Sequence, residues 1–186
     1  MKFILASASP RRNELLKLIT EDFICRPADI DETVPETIEP RSAPEYLALL
    51  KAEHIAKKYP DKIIIGADTT VFLGDTPLGK PKNEDDAFNM LKALSGKPHT
   101  VITGCALVFD KKKISFSVST KVYFKTISDI EIKKYILTGE PMDKAGAYGI
   151  QGKGALLCEK IEGDYFNIVG LPVSKLNDAI KDFCNE

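Results

Sequence analysis

Tryptophan is absent, and 186 residues carry only two histidines, three methionines and four cysteines. The cysteines, Cys25, Cys105, Cys158 and Cys184, form no CxxC pair, so zinc and thioredoxin-like redox chemistry have no support. Each reads as a small buried hydrophobe. His54 and His99 have no carboxylate or thiol at ligand spacing, and neither reads as a catalytic base. A charge excess is also missing: 26 basic against 27 acidic residues leave a net charge of −1. Proteins that coat nucleic acid carry a clear basic excess, so that role is excluded. No apolar run is long enough to span a bilayer. The segment Met1 to Ala8 faintly mimics a leader peptide, but its apolar run is short and Arg11-Arg12 follow at once. The expected location is cytoplasmic, with no membrane partner. There is no internal repeat and no low-complexity segment.

What is present is a globular balance, 44% hydrophobic and 28% charged, on a chain long enough to bury a core. Lys2 to Ala6 and Asp22 to Arg26 read as short strands, and Lys62 to Leu73 as a central one. Ser9-Pro10 opens a helix with Leu15, Leu16, Leu18 and Ile19 on its apolar face. Pro44 opens a second, Asn83 caps a third and Ser128 a fourth, and a last helix follows Pro172. Residues 27 to 44 form an acidic, proline-rich loop. Thr100 to Phe109 and Ile114 to Thr126 flank the solvated tip Asp110 to Lys113 as a hairpin. A strand is expected near Ala155 to Ile161. Alternating helices and strands with an interrupting hairpin predict an α/β fold with a mixed sheet.

Four constellations carry chemistry. Ser7-Ala8-Ser9-Pro10-Arg11-Arg12 leaves a strand and enters a helix, offering hydroxyls, free N–H groups and forked guanidinium donors to an anion. The plainer reading is an ordinary N-cap beside two solvated arginines. Gly66-Ala67-Asp68-Thr69-Thr70 places an acid inside an apolar strand. Buried acids hold a metal, accept a proton or meet a cation; an exposed turn at Gly66 is the alternative. Gly74 to Pro81 nearly matches the phosphate loop G-x-x-x-x-G-K-S/T, but Pro81 replaces the hydroxyl and removes an N–H, so that loop is rejected. Lys80 can still place one positive charge on phosphate, or be a surface lysine. Residues 139 to 154 hold five glycines with Lys144, Gln151 and Lys153, without the G-x-G-x-x-G of a dinucleotide fold. They fit a backbone brought close to a ligand, or a flexible connector. Together these residues suit a polyphosphate held with a divalent metal. They do not choose between kinase, hydrolase and phosphate-binding regulator.

An ordered set of motifs goes further. SASPRR at 7–12, IDE at 30–32, LLKAEHIA at 49–56, GADTTV at 66–71, GKP at 79–81, LSGKPHTVITG at 94–104, GEPMDKAGAYGIQGKGA at 139–155 and GDYFNIVGLP at 163–172 resemble the Maf family along nearly the whole chain. The resemblance implies a single domain over residues 1–186, an elongated two-lobed fold like that of the inosine-triphosphate pyrophosphatases, a central cleft and a homodimer. It implies hydrolysis of a nucleoside triphosphate to the monophosphate and pyrophosphate with Mg or Mn. By this resemblance Asp68 accepts the proton of water; Ser7, Ser9, Arg12, Lys51 and Lys80 bind the triphosphate; Glu32 and Asp68 hold the metal. Arg11, Thr69 and Gln151 match the subfamily acting on dTTP and UTP, and modified uridine triphosphates in a housecleaning role are a further expectation. Glutamine pairs both a donor and an acceptor on a uracil edge. A purine-type member would differ at those three positions. The family is also associated with arrest of cell division, so the alternative is a nucleotide-binding regulator without essential catalysis, which would not need Asp68.

Overall fold

The computed structural model describes residues 2–185, and the chain divides into two compact units. The first comprises residues up to Thr69, Thr103–Val118 and the segment from Gly170. The second comprises Thr70–Ile102 and Ser119–Val169. The strands form a seven-stranded mixed sheet, as the alternating pattern predicts.

In the first unit β1 (Phe3–Leu5) pairs in parallel with β2 (Phe23–Cys25) and with β3 (Ile63–Leu73), Phe3 facing both Phe23 and Ile63. Residues 63–67 are all buried, which is why the strand reads as a continuous apolar run and does not alternate. Between β1 and β2 lies α1 (Pro10–Leu16). Between β2 and β3 lies α2 (Ala43–Ala56), begun by a proline in its first turn. It buries Leu47, Ala48, Lys51, Ala52 and Ile55 on one face. Ile4, Ile64, Ala106 and Val108 pack with that stripe. Each fully buried large aliphatic contributes about 1.5–3 kcal/mol.

Two glycines let α2 approach the strands. A Cβ on Gly66 would lie 2.0 Å from the Ala48 carbonyl oxygen, and one on Gly104 would lie 2.3 Å from the Pro44 carbonyl oxygen. No side chain fits either gap. Gly66 is therefore a contact point inside β3, not a strand-end turn. The closing helix of this unit, α6 (Val173–Asn185), buries Leu176, Ala179, Ile180 and Phe183.

In the second unit the end of β3 turns at Gly74, with φ 61, into β4 (Thr76–Leu78), antiparallel with Val71 opposite Leu78. Then come α3 (Glu84–Leu94), the strands β5 (Pro98–Phe109) and β6 (Lys112–Phe124), of which Thr103–Val118 belong to the first unit, then α4 (Asp129–Ile136), β7 (Cys158–Glu162) and α5 (Tyr165–Val169). Sheet order is β2-β1-β3-β5-β6-β7, with β4 beside β3. The Asn83 side chain accepts the Asp86 N–H, and Ser128 with Glu131 forms a reciprocal capping box. The core gathers Val71, Leu91, Leu94, Val122, Phe124, Ile132 and Tyr148. Asn167 is fully buried and donates to the Val101 carbonyl and the Thr120 hydroxyl. Its polar cost is thereby offset.

Several expectations are corrected. α1 stops at Leu16, so Leu18 is 63% exposed and not part of an apolar face. Residues Gly152–Leu157 form a 3-10 segment, and β7 starts only at Cys158. Of the cysteines only Cys105 is buried; Cys25 and Cys158 are partly exposed and Cys184 is exposed. Among the described residues no helix is long and apolar enough to cross a membrane.

Candidate active site

The acid expected inside a strand is there, and it is paired. The close approach of Gly66 to Ala48 sets this up. Lys51 lies one turn beyond Ala48 on the same helix face. Asp68 lies two residues beyond Gly66 on the same strand face. The ammonium of Lys51 consequently donates to Asp68 Oδ1 at 2.7 Å. It also meets Glu32 Oε1 at 3.0 Å, from the acidic loop. Lys51 is buried, whereas the Glu32 side chain is 54% exposed. One cation thus joins an exposed carboxylate to one that is largely covered. The pairing satisfies Lys51, whose burial would otherwise be costly.

Arg12 forms the second cluster. Its Nε donates to the Gly170 carbonyl at 2.8 Å, and Nη1 donates to the Ala67 carbonyl at 2.9 Å. Nη1 also reaches Ser7 Oγ at 3.4 Å, and Nη2 donates to Thr69 Oγ1 at 2.9 Å. Ala67 and Thr69 flank Asp68 in β3, so the bonds to them fix the strand around it. Burial, opposed in part by the Asp68 charge, lowers the pKa of this guanidinium, although arginine stays charged. Thr69 Oγ1 also shares a hydrogen bond with Thr103 Oγ1 at 2.9 Å. Thr103 and Gly170 were not legible as site partners, because both contacts are long-range.

Ser9 caps α1, its hydroxyl accepting the Arg12 N–H at 3.4 Å, and the Ser9 N–H donates to Ser7 Oγ at 3.1 Å. With seven residues, α1 has a short dipole, so the hydroxyls and guanidinium groups matter more here than the helix. Arg11 is partly exposed in the first turn of that helix. The first unit therefore brings together Ser7, Ser9, Arg12 and Thr69, and separately Glu32, Lys51 and Asp68.

Lys80 and Gln151 belong to the second unit, and both are exposed. Lys80 follows β4, where the Gly79 carbonyl accepts the Gly146 N–H at 3.0 Å. The rejected phosphate loop is a β-turn and strand. Gln151 stands just before the 3-10 segment Gly152–Leu157. His99 is a core residue: its Nε2 meets the Tyr148 hydroxyl at 2.7 Å, and it packs edge-on against Phe124.

Among the described residues no group of three or more His, Cys, Asp and Glu side chains has metal-ligand geometry. Two carboxylates converging on one ammonium are the donor set present. Hard carboxylate oxygens fit Mg or Mn, and Mg is commonly held by one or two carboxylates plus substrate phosphates. Glu32 and Asp68 fit that pattern.

The chain is 53% identical to the dTTP/UTP pyrophosphatase of Thermosipho africanus over 182 residues, covering 98% of this chain and 93% of the relative. It is 49% identical to the dTTP/UTP pyrophosphatase of a Geobacillus species over 180 residues, covering 97% of each. Among solved structures, the Ham1 protein of Staphylococcus aureus superposes with a TM-score of 0.58 at 15% identity, covering 98% of this chain and 99% of that one. That likeness shows a shared fold. The sequence profile of the Maf-like proteins matches residues 2–183, and the chain belongs to the Maf-like protein family.

Proposed function

We propose that this chain is a nucleoside-triphosphate pyrophosphatase that hydrolyses dTTP and UTP to the monophosphate and pyrophosphate, in a housecleaning role that extends to modified uridine triphosphates. The observation that carries the reading is Asp68, held inside β3 by Lys51, which also binds Glu32. Relatives named dTTP/UTP pyrophosphatase, about half identical over nearly the full length, support it.

In this reading Asp68 takes a proton from water as the water oxygen attacks the α-phosphorus. The bond from that phosphorus to the bridging oxygen breaks, and pyrophosphate leaves with the electron pair. Placed bases are worth ~10²–10⁴ in rate. Lys51 holds the carboxylate in place through its 2.7 Å hydrogen bond to Oδ1. Ser7, Ser9, Arg12, Lys51 and Lys80 bind the triphosphate and offset charge on the leaving pyrophosphate. Arg12 spends four hydrogen bonds on the protein. One N–H of its five remains for phosphate, so it serves mainly by position and charge. Glu32 and Asp68 would hold the divalent cation, which supplies charge neutralisation at the phosphates when bound. Arg11, Thr69 and Gln151 select the base. The family resemblance also carries a homodimeric state and a cytoplasmic location, and the near-zero net charge suits a small-molecule substrate better than nucleic acid.

Pyrophosphate release from a panel of nucleotides, with Mg or Mn and with EDTA, tests the reading. Equal amounts of monophosphate and pyrophosphate from dTTP and UTP, lost in EDTA, are expected. Release of inorganic phosphate, or turnover of purine nucleotides alone, would overturn it.

A further inference from the structure

Gln151 is exposed, and an exposed glutamine selects a base only if its backbone is held still. The second unit contains a device that does this. Glu140 Oε1 accepts the Lys153 N–H at 3.0 Å, and Oε2 accepts the Gly154 N–H at 3.3 Å. On the other side of Gln151, the Gly149 N–H donates to the Tyr135 hydroxyl at 3.1 Å. Both strands of the short loop 149–154 are thus pinned, with Gln151 near its tip.

The glycines show how tightly. Gly152 adopts φ 65, and a Cβ there would lie 2.7 Å from Glu140 Oε1. A Cβ on Gly154 would lie 2.1 Å from the Gly149 carbonyl oxygen and 2.7 Å from the Tyr135 hydroxyl. The loop closes on itself over the carboxylate and the phenol. Below it, Lys144 Nζ donates to the Glu140 carbonyl at 2.6 Å, and its stem fills the space a Gly149 side chain would need.

We propose that Glu140, with Tyr135, is a positioning residue that sets base selection by fixing the backbone on both sides of Gln151. This rests on the reading above, in which Gln151 contacts the base. The anchor is a carboxylate because an ionised acceptor binds two N–H groups more strongly than a neutral one. Those N–H bonds in turn hold the Glu140 carboxyl below its usual range, the Lys153 contact most of all. Tyr135 stays protonated, its pKa pushed up to about 12 by burial and by the Glu140 charge.

The test uses the full chain. Glu140→Gln and Tyr135→Phe are made alone and with Gln151→Ala, and kcat and KM are measured for UTP and CTP. Alone, Glu140→Gln raises KM for UTP by about tenfold, the scale of one lost hydrogen bond to a charged group, and Tyr135→Phe by about threefold, the scale of one between neutral groups; each narrows the UTP-over-CTP preference by a similar factor. The value of kcat stays within about twofold. In the Gln151→Ala background the same changes leave the preference where it is, because their effect runs through Gln151. An equal narrowing in that background, or none in the parent, overturns the proposal. Amide proton shifts of Gly149, Lys153 and Gly154 read the loop independently of turnover. If these move in Glu140→Gln while Gln151→Ala leaves base preference intact, base selection by Gln151 fails, and the proposal with it. If they do not move, the anchoring itself is refuted.

Discussion

His99 gives the fold a calculable response to acid. Its ring lies in the core of the second unit, edge-on to Phe124 at 4.8 Å and to Tyr148 at 5.3 Å between centroids. Its Nε2 meets the Tyr148 hydroxyl at 2.7 Å, and Nδ1 has no partner among the described residues. Burial pushes its pKa from 6.5 down to about 4, opposed only in part by the Lys97 backbone. Above pH ~6.5 the ring is neutral in both folded and unfolded chains, and the stabilisation is fully present. Between pH ~6.5 and ~4 the unfolded chain takes up a proton that the folded chain refuses, so stability falls with falling pH. Below the folded pKa both forms are protonated and this loss is complete. At about 1.4 kcal/mol per pKa unit the loss is roughly 3 kcal/mol. Urea unfolding of the parent and of His99→Gln, at pH 7 and at pH 4, measures it. The parent should lose roughly 3 kcal/mol more than the variant over that range, while the carboxylates titrate alike in both. Parallel losses would refute the argument, as would a His99 ring titration by NMR with a midpoint near 6.5.

Two further outcomes follow from the first unit. Gly66→Ala puts a methyl group where the Ala48 carbonyl oxygen stands, so α2 must move away from β3. We expect a loss of about 1–3 kcal/mol in stability together with reduced turnover, because Lys51 and Asp68 ride on those two elements; turnover unchanged in a destabilised variant would contradict it. Lys51→Met leaves the Asp68 and Glu32 carboxylates facing each other without their shared cation. A fall of about 10²-fold in kcat/KM for UTP is expected, and a fall below threefold would show the ammonium to be dispensable.

Local signals were legible and nonlocal ones were not. Asn83, Ser128 and Pro44 announced their helices, because a cap acts within three residues of itself. Asp68 stood out in an apolar strand for the same reason. Gly66 was ambiguous, since its cause is an α2 carbonyl reached only by folding. The Arg12 guanidinium is bound to a carbonyl 158 residues away, which no spacing rule reveals, and this moves it from a free phosphate ligand towards a clamp on the strand. β4 and α5, three and five residues long, are too short to show a period. The stretch before β7 looked like strand by composition, but Gly152 and Gly154 bend it into a 3-10 segment. Glu140 carries no signal of its own in the sequence, because the Lys153 and Gly154 N–H groups it accepts meet it only in the fold.

The central claim is that Asp68 is the base, and Asp68→Asn tests it most directly. The amide keeps the side chain's size and can still face Lys51, but it cannot take a proton from water. Pyrophosphate release from UTP should fall by ~10² or more while UTP affinity changes only a few-fold. Release at the parent rate, with the nucleotide bound as before, would show that Asp68 does not activate the water and would contradict the account.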